Sequence, residues 1–187
     1  MERIKKKYKH ELARFEVQKN NMRRLWNIQQ ETAELLYTLV KVKSPKHILE
    51  IGTSNGFSTF WLSLAAEKCD AIVDTIEVDE DRFKLAKENL ASRKNIIQRF
   101  GKAEDIIPEL QDKYDFVFID AGKINYINYI KLLQNKINNN AIIVADNIIS
   151  HKATVKEYLD FIESSELFDN VTININSGLN IASYNLD

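Results

Sequence analysis

Apolar positions change their period along the chain. Near the amino end Ile4, Tyr8, Leu12 and Phe15 recur every three or four residues with charges between them, which predicts an amphipathic helix. Residues 31–41 repeat that spacing with Ala33, Leu35, Leu36, Leu39 and Val40. Ser44-Pro45 ends this second helix, because proline disfavours helical geometry in the residue before it. Short apolar runs then follow at 47–51, 71–77, 96–100, 116–120 and 141–145, and read as strands. Helical stretches at 58–67, 81–91, 103–110 and 126–137 separate them. This alternation predicts right-handed crossovers and a parallel sheet covered on both faces. The tail departs from it. After a helix at 154–164, Val171, Ile173 and Ile175 alternate with polar residues, as do Leu179 and Ile181, around Ser177-Gly178. Two alternating runs about such a turn predict an antiparallel hairpin. The expected class is therefore α/β: a mostly parallel seven-stranded sheet, helices on both faces, closed by a C-terminal antiparallel hairpin. A single domain is expected over 1–187, with 1–24 a basic helical arm and 25–187 the core.

Composition adds exclusions. With 44% apolar and 28% charged residues the chain reads as an ordinary globular protein. No apolar run reaches the roughly 20 residues of a membrane span. The basic start, MERIKKKYKHELARF, has no apolar stretch of the signal-peptide kind. One cysteine, Cys69, excludes an internal disulfide framework, reads as structural and fits a cytoplasmic location. Charge is uneven. Residues 1–24 hold nine Lys/Arg against three Asp/Glu, whereas the remainder holds 17 against 24, a net −7. A basic arm on an acidic body suits a polyanion such as tRNA, but the helical spacing of its apolar residues favours a solvated helix face.

The first strand leaves into ILEIGTSNGFSTFWL, where Gly52 and Gly56 flank a turn that opens a helix. The free N–H groups of such a helix start favour an anion. A dinucleotide fingerprint would need glycines where Ser54 and Phe57 stand, and the lysine of a P-loop is absent. Glu77 ends the next strand, 25 residues after Gly52, where nucleotide-binding α/β folds place a carboxylate for ribose hydroxyls. Asp79 reads as the N-cap of the following helix. A glycine turn, a ribose carboxylate and no pyrophosphate signature point to an adenosine ligand without phosphates, and S-adenosyl-L-methionine meets that description.

HILEIGTSNGFSTFWLS, TIEVDEDRFKLAKENL, GKAEDIIPEL, YDFVFIDAGKINYINY and IIVADN, in this order and spacing, resemble the metal-dependent O-methyltransferases, a family that includes catechol and caffeoyl-CoA enzymes and many bacterial relatives. The likeness covers about 24–184 and implies a Rossmann-like class I methyltransferase fold. It implies that Glu50 and Ser58 hold the methionine part of the cofactor, with Gly52 and Thr53 forming the loop. Glu77 matches the ribose carboxylate, Ala103 the adenine side, and the backbone at Ile28 a segment lying over the cofactor, which Asp120 also borders. Lys102 stands where an acidic residue is usual.

Asp120 ends the strand FVFID, and taken alone it reads as a turn cap. The resemblance implies instead a divalent cation on Asp120, Asp146 and Asn147, hard oxygen donors suited to Mg²⁺, with Ca²⁺ and Mn²⁺ as the other candidates. It also implies that Lys123 is the general base for an acceptor hydroxyl. Three features depart from the family. The segment after Asn147 is short, Gly122 stands where animal catechol enzymes carry an aromatic, and Asn180 replaces an acidic residue that meets the substrate in those enzymes. They imply an acceptor site more open than one for catechol. Trp26 and Trp61 read as core, Trp26 close to the segment over the cofactor, Tyr126 and Tyr129 as packing, and His151 as an exposed loop residue ahead of one that touches substrate or metal.

The implied function is methyl transfer to a hydroxyl of a small molecule with vicinal oxygens. A second reading places the methyl group on hydroxyuridine of tRNA, reached through the arm at 1–24. A third, a non-catalytic S-adenosylmethionine-binding module, is opposed by the intact Asp120, Lys123, Asp146 and Asn147. The family also implies a homodimer.

Overall fold

Five of the strands are parallel because helices carry the chain back between them. The computed structural model describes residues 1–21 and 25–186. Its strands are β1 (His47–Ile51), β2 (Ile72–Glu77), β3 (Ile96–Phe100), β4 (Tyr114–Ile119), β5 (Ile137–Ala145), β6 (Phe168–Ile173) and β7 (Leu179–Tyr184), in the sheet order β3-β2-β1-β4-β5-β7-β6. β7 runs antiparallel to both β5 and β6, so the expected hairpin closes the sheet. Among the described residues no helix is long and apolar enough to cross a membrane.

Strand parity divides the core. Ile48, Phe116 and Phe118 face one side, packed with α3 (Gln30–Lys43) and α4 (Phe57–Ala66). Leu49, Ile51, Val117 and Ile119 face the other, with α6 (Ala103–Glu109), α7 (Tyr126–Leu133) and α8 (Lys156–Ser164). Burial on both faces is why these strands read as continuous apolar runs. The fifth strand begins earlier than its pattern suggested. Ile137 pairs with Tyr114 across an irregularity in the β4–β5 ladder, so α7 stops at Leu133.

The basic arm is part of the body. Its helices, α1 (Glu2–Lys7) and α2 (Lys9–Asn21), lay Ile4, Tyr8, Leu12 and Phe15 on the α4 side of the sheet. Phe15 is 1% exposed, with ring centroids 5.6 Å from both Phe57 and Phe60. Burying that ring alone contributes about 2 kcal/mol. Arg3, Lys6, Lys7 and Lys9 remain exposed, as a solvated helix face requires. Residues 22–24 of the arm lie outside the described residues.

The crossover from β1 runs toward β2, while β4 leads toward β5 on the opposite side. Adjacent strands whose connections diverge leave a crevice beyond their carboxyl ends, and ligands bind there in open α/β sheets.

Candidate functional site

A cleft of about 860 Å³ opens at that crevice. One wall is the turn after β1. Gly52 and Thr53 donate their N–H groups to Ile76 O, and Ser54 N donates to Glu77 Oε2 at 2.7 Å. Gly52 has a φ of +105°, and a Cβ there would stand 2.2 Å from Asp120 O, so only glycine lets this turn lie against the end of β4. Gly56, at φ +89°, starts α4 with its own backbone close to Leu90. The opening turn of α4 leaves N–H groups without helical partners, as any helix start does.

Glu77, almost wholly buried, is held from several directions. Oε1 accepts from Val78 N, Asp79 N and the Arg82 guanidinium, the last at 3.1 Å. Asp79 caps α5 (Glu80–Asn89) by accepting from Arg82 N, as its place in the sequence suggested. Glu50 lies deeper, fully buried. The Thr59 and Thr75 hydroxyls both donate to its Oε2, Thr75 at 2.6 Å, while Oε1 has no partner. Burial pushes its carboxyl up to about 7 from 4.5, against the pull of these hydroxyls and of Ser58.

That elevated value has a consequence for stability. The folded state holds this proton more tightly than the unfolded chain, so its contribution is complete below pH 4.5 and is lost as pH rises to about 7. Glu50→Gln removes the titration. The variant's unfolding free energy should gain on the wild type by up to about 3 kcal/mol as pH rises over that interval. Chemical denaturation of the ligand-free protein across pH 4–8 checks it; a constant difference between the two proteins would refute it.

Asp120 lies one residue past β4. Its Oδ1 accepts from Lys123 Nζ at 2.8 Å, and among the described residues no backbone N–H bonds its carboxylate, so it does not act as a turn cap. Lys123 opens a single 3-10 turn, Lys123–Asn125, and its Nζ lies 5.9 Å from the centre of the Tyr126 ring. Asp146 occupies the corresponding place past β5, since Ile119 and Ala145 are register partners. The buried Tyr126 hydroxyl is shared between Ile119 O and Asp146 O, 3.2 Å from each, and so ties the two strand ends together. Asn147 follows in the left-handed region at φ +63°, which asparagine tolerates better than most residues.

Burial first, and then the charge of Asp120, push the Asp146 carboxyl up to about 7. Its Oδ1 is buried without a partner. Two carboxylates that repel each other, one with an orphaned oxygen and both beside an amide, are a donor set that a hard cation fits. Among the described residues no three His, Cys, Asp or Glu gather as a metal cluster, so an ion here would draw on Asn147 and water as well.

The cleft brings together Gly52, Glu77, Ala103, Asp120, Lys123 and Asn147 on its surface. Glu50, Thr53, Ser58, Ile28 and Asp146 are buried behind it. Thr53 Oγ1 is engaged with Thr75 Oγ1 at 2.6 Å. Trp26 corrects the sequence reading. It is 73% exposed and lines the cleft mouth beside Arg82, because Leu25 and Ile28 fill the buried positions of that segment. Asn180 is corrected too. It is fully buried, accepts from the Tyr158 hydroxyl and donates to Asn170, away from the cleft. Trp61 and Tyr126 are core, Tyr129 is buried with an edge on the cleft, and His151 is exposed. Arg82 was missed as a partner of Glu77, although its place at the start of the helix after TIEVD was a usable signal.

An O-methyltransferase family model matches residues 2–179. A catechol O-methyltransferase of Niastella koreensis is 35% identical over 123 residues, 62% of this chain and 55% of that protein. One of Mycobacterium tuberculosis is 35% identical over 124 residues, 64% of this chain and 56% of that protein. The chain spans about half the length of these curated relatives. Solved structures share the fold. TomG, an O-methyltransferase of Streptomyces achromogenes in complex with S-adenosylmethionine, aligns at TM-score 0.80 and 23% identity over 86% of this chain and 82% of its own. A Staphylococcus aureus protein aligns at TM-score 0.84 and 22% identity over 98% of both chains.

Proposed function

This chain belongs to the O-methyltransferase family, and from that premise we propose that it transfers the methyl group of S-adenosylmethionine to a hydroxyl of a small molecule with vicinal oxygens, with a divalent cation in the site. One observation carries the reading: the Gly52 turn, Glu77, Asp120, Lys123 and Asn147 border a single cleft.

The adenosine side of the cofactor would face Glu77 and Ala103, with the methionine side toward Gly52 and Ser54. A positively charged sulfonium gains from the carboxylates nearby. Bound there, S-adenosylmethionine would supply a methyl carbon open to the acceptor oxygen, with S-adenosylhomocysteine leaving with the electron pair of the broken C–S bond. Lys123 Nζ, on the cleft and bonded to Asp120 Oδ1 at 2.8 Å, would accept the acceptor's proton as general base after giving up one of its own. Asp120, Asp146 and Asn147 would hold the cation, Mg²⁺ first, and such an ion acidifies a hydroxyl that it ligates. The named catechol relatives support vicinal oxygens as the acceptor class. A Cβ on Gly122 would meet Asn125 Nδ2 in ordinary contact at 3.7 Å, so a side chain would fit there, and its absence supports an acceptor bulkier than catechol.

Calorimetry tests the reading with S-adenosylmethionine alone, then with Mg²⁺ and caffeate. The expected result is cofactor binding without metal and caffeate binding only with it. Cofactor binding with no metal-dependent acceptor would move the acceptor to RNA, with tRNA as the next ligand titrated. No cofactor binding would overturn the proposal.

A further inference from the structure

The turn that borders the cleft is held from behind by the amino-terminal helix. Asn55, inside the turn, is fully buried. Its side-chain amide donates to Gln18 Oε1 on α2 at 3.0 Å, and its own Oδ1 has no partner. Gln18 Oε1 also accepts from Asn89 Nδ2 at 2.8 Å, and Gln18 Nε2 returns a bond to Asn89 Oδ1 at 3.0 Å. Asn89, the last residue of α5, donates to the Asn55 carbonyl at 2.9 Å. Arg14, one turn earlier on α2, donates to the Asn89 carbonyl at 2.7 Å. The next residue, Leu90, is the one against which Gly56 is pressed.

Three elements far apart in sequence therefore meet in one ring of amides. Gln18 is its hub. Among the described residues it is the sole partner of the Asn55 side chain, and it makes two of the bonds that fix Asn89 against the turn. None of the three side chains borders the cleft, so none is placed to touch a ligand there. Packing alone does not explain a glutamine here: Gln18 is only half-buried, yet its amide bonds the buried Asn55 and Asn89, whose amides would cost free energy unpaired. The apolar anchoring of α2 is already supplied by Phe15 one turn away.

We infer that Gln18 is a positioning residue for the cofactor turn, acting through Asn55 and Asn89 to hold residues 52–56 in the shape that receives the methionine end of S-adenosylmethionine. The inference rests on the function proposed above. Removing Gln18 leaves Asn55 buried with neither its donor nor its acceptor satisfied. The turn then escapes by opening, and its cleft-facing side, with the Ser54 N–H bond to Glu77, moves with it.

The test is a double-mutant cycle on cofactor affinity, read by calorimetry on the full chain, with melting temperature recorded beside it. Gln18→Met keeps length and bulk and removes all three bonds. It should weaken S-adenosylmethionine binding roughly tenfold. Asn55→Ala removes the buried amide that Gln18 serves, and in that background Gln18→Met should weaken binding far less than in the wild type. Should Gln18→Met fail to fold, Gln18→Glu takes its place. That variant keeps an oxygen for the amide groups of Asn55 and Asn89 while losing the donor to Asn89 Oδ1, and should bind more weakly than wild type. Undiminished affinity in the folded Gln18 variant, or full additivity in the cycle despite a lowered melting temperature, would make α2 a stabilising element only and overturn the inference. Failure of the wild type itself to bind would overturn the function on which it rests, an outcome distinct from a variant that binds as well as wild type.

Discussion

Replacing Lys123 with methionine is expected to lower the rate of methyl transfer roughly 10²–10⁴-fold, the usual worth of a positioned general base, while leaving S-adenosylmethionine affinity close to that of wild type. Methionine matches most of the lysine stem, and its thioether suits the neighbouring Tyr126 ring in place of the lost ammonium, so the 3-10 turn should not collapse. The loss is confined to the amine. Asp120 forfeits its partner at 2.8 Å, but both groups are partly open to solvent and such pairs contribute about 1 kcal/mol or less. Lys123→Arg separates the two things an amine can do. It restores a cation beside Asp120, yet a guanidinium does not give up its proton near neutral pH and so cannot accept one from the acceptor. The arginine variant should therefore stay as slow as the methionine variant. Single-turnover methyl transfer at saturating cation, with calorimetry for the cofactor, decides the matter. A fast arginine variant would reduce Lys123 to an electrostatic role, and a fast methionine variant would remove it from the mechanism.

The parts of this molecule that the sequence made legible share a physical cause. β1 and β3 were placed to the residue because turn-forming and charged residues bracket short apolar runs. The hairpin was visible because apolar and polar residues alternate about Ser177-Gly178, but its first strand, Phe168–Ile173, starts and stops earlier than the 171–175 run and is exposed over most of its length. The start of β5 was not, since Asn138, Asn139 and Asn140 carry no strand preference and Ile137 is recruited by pairing with Tyr114. Trp26 failed for a different reason. Hydrophobic residues fill cores, but the rule does not run backwards, and a lone tryptophan at a cleft mouth looks like core in a one-dimensional pattern. The inward turn of Asn180 toward Tyr158 was not legible, because strand parity depends on a register the chain does not declare. The amide ring of Gln18, Asn55 and Asn89 had no signal at all. Its members lie 37 and 71 positions from Gln18, and hydrogen bonds over such separations leave no period to read. Asp120, Lys123, Asp146 and Asn147 enter the candidate site by resemblance. Taken alone, Asp120 would have been read as a cap.

Asp146→Asn should separate the cation from the rest of the site. In the ligand-free protein this carboxylate is a burden: it is 5% exposed, lies near the charge of Asp120, and has one oxygen unpaired. Neutralising it without changing its size should leave the ligand-free variant at least as stable as wild type near pH 8, since a buried charge without a matching partner costs more than it returns. The wild type should respond to Mg²⁺ quite differently. An ion that binds only the folded chain adds about 2.7 kcal/mol at one hundred times its dissociation constant. For a chain of this length that corresponds to roughly 5–10 °C in melting temperature. The variant keeps Asp120 and Asn147 but offers one carboxylate in place of two, so most of that rise should vanish, along with turnover. Such an outcome, a higher baseline and a lost response together, is one that general damage to the fold cannot produce. A variant that keeps the full Mg²⁺ response would place the ion elsewhere. A wild type that ignores Mg²⁺, Ca²⁺ and Mn²⁺ while still binding S-adenosylmethionine would remove the cation from the reading and leave Lys123, bonded to Asp120 at 2.8 Å, as the group that offsets the carboxylates.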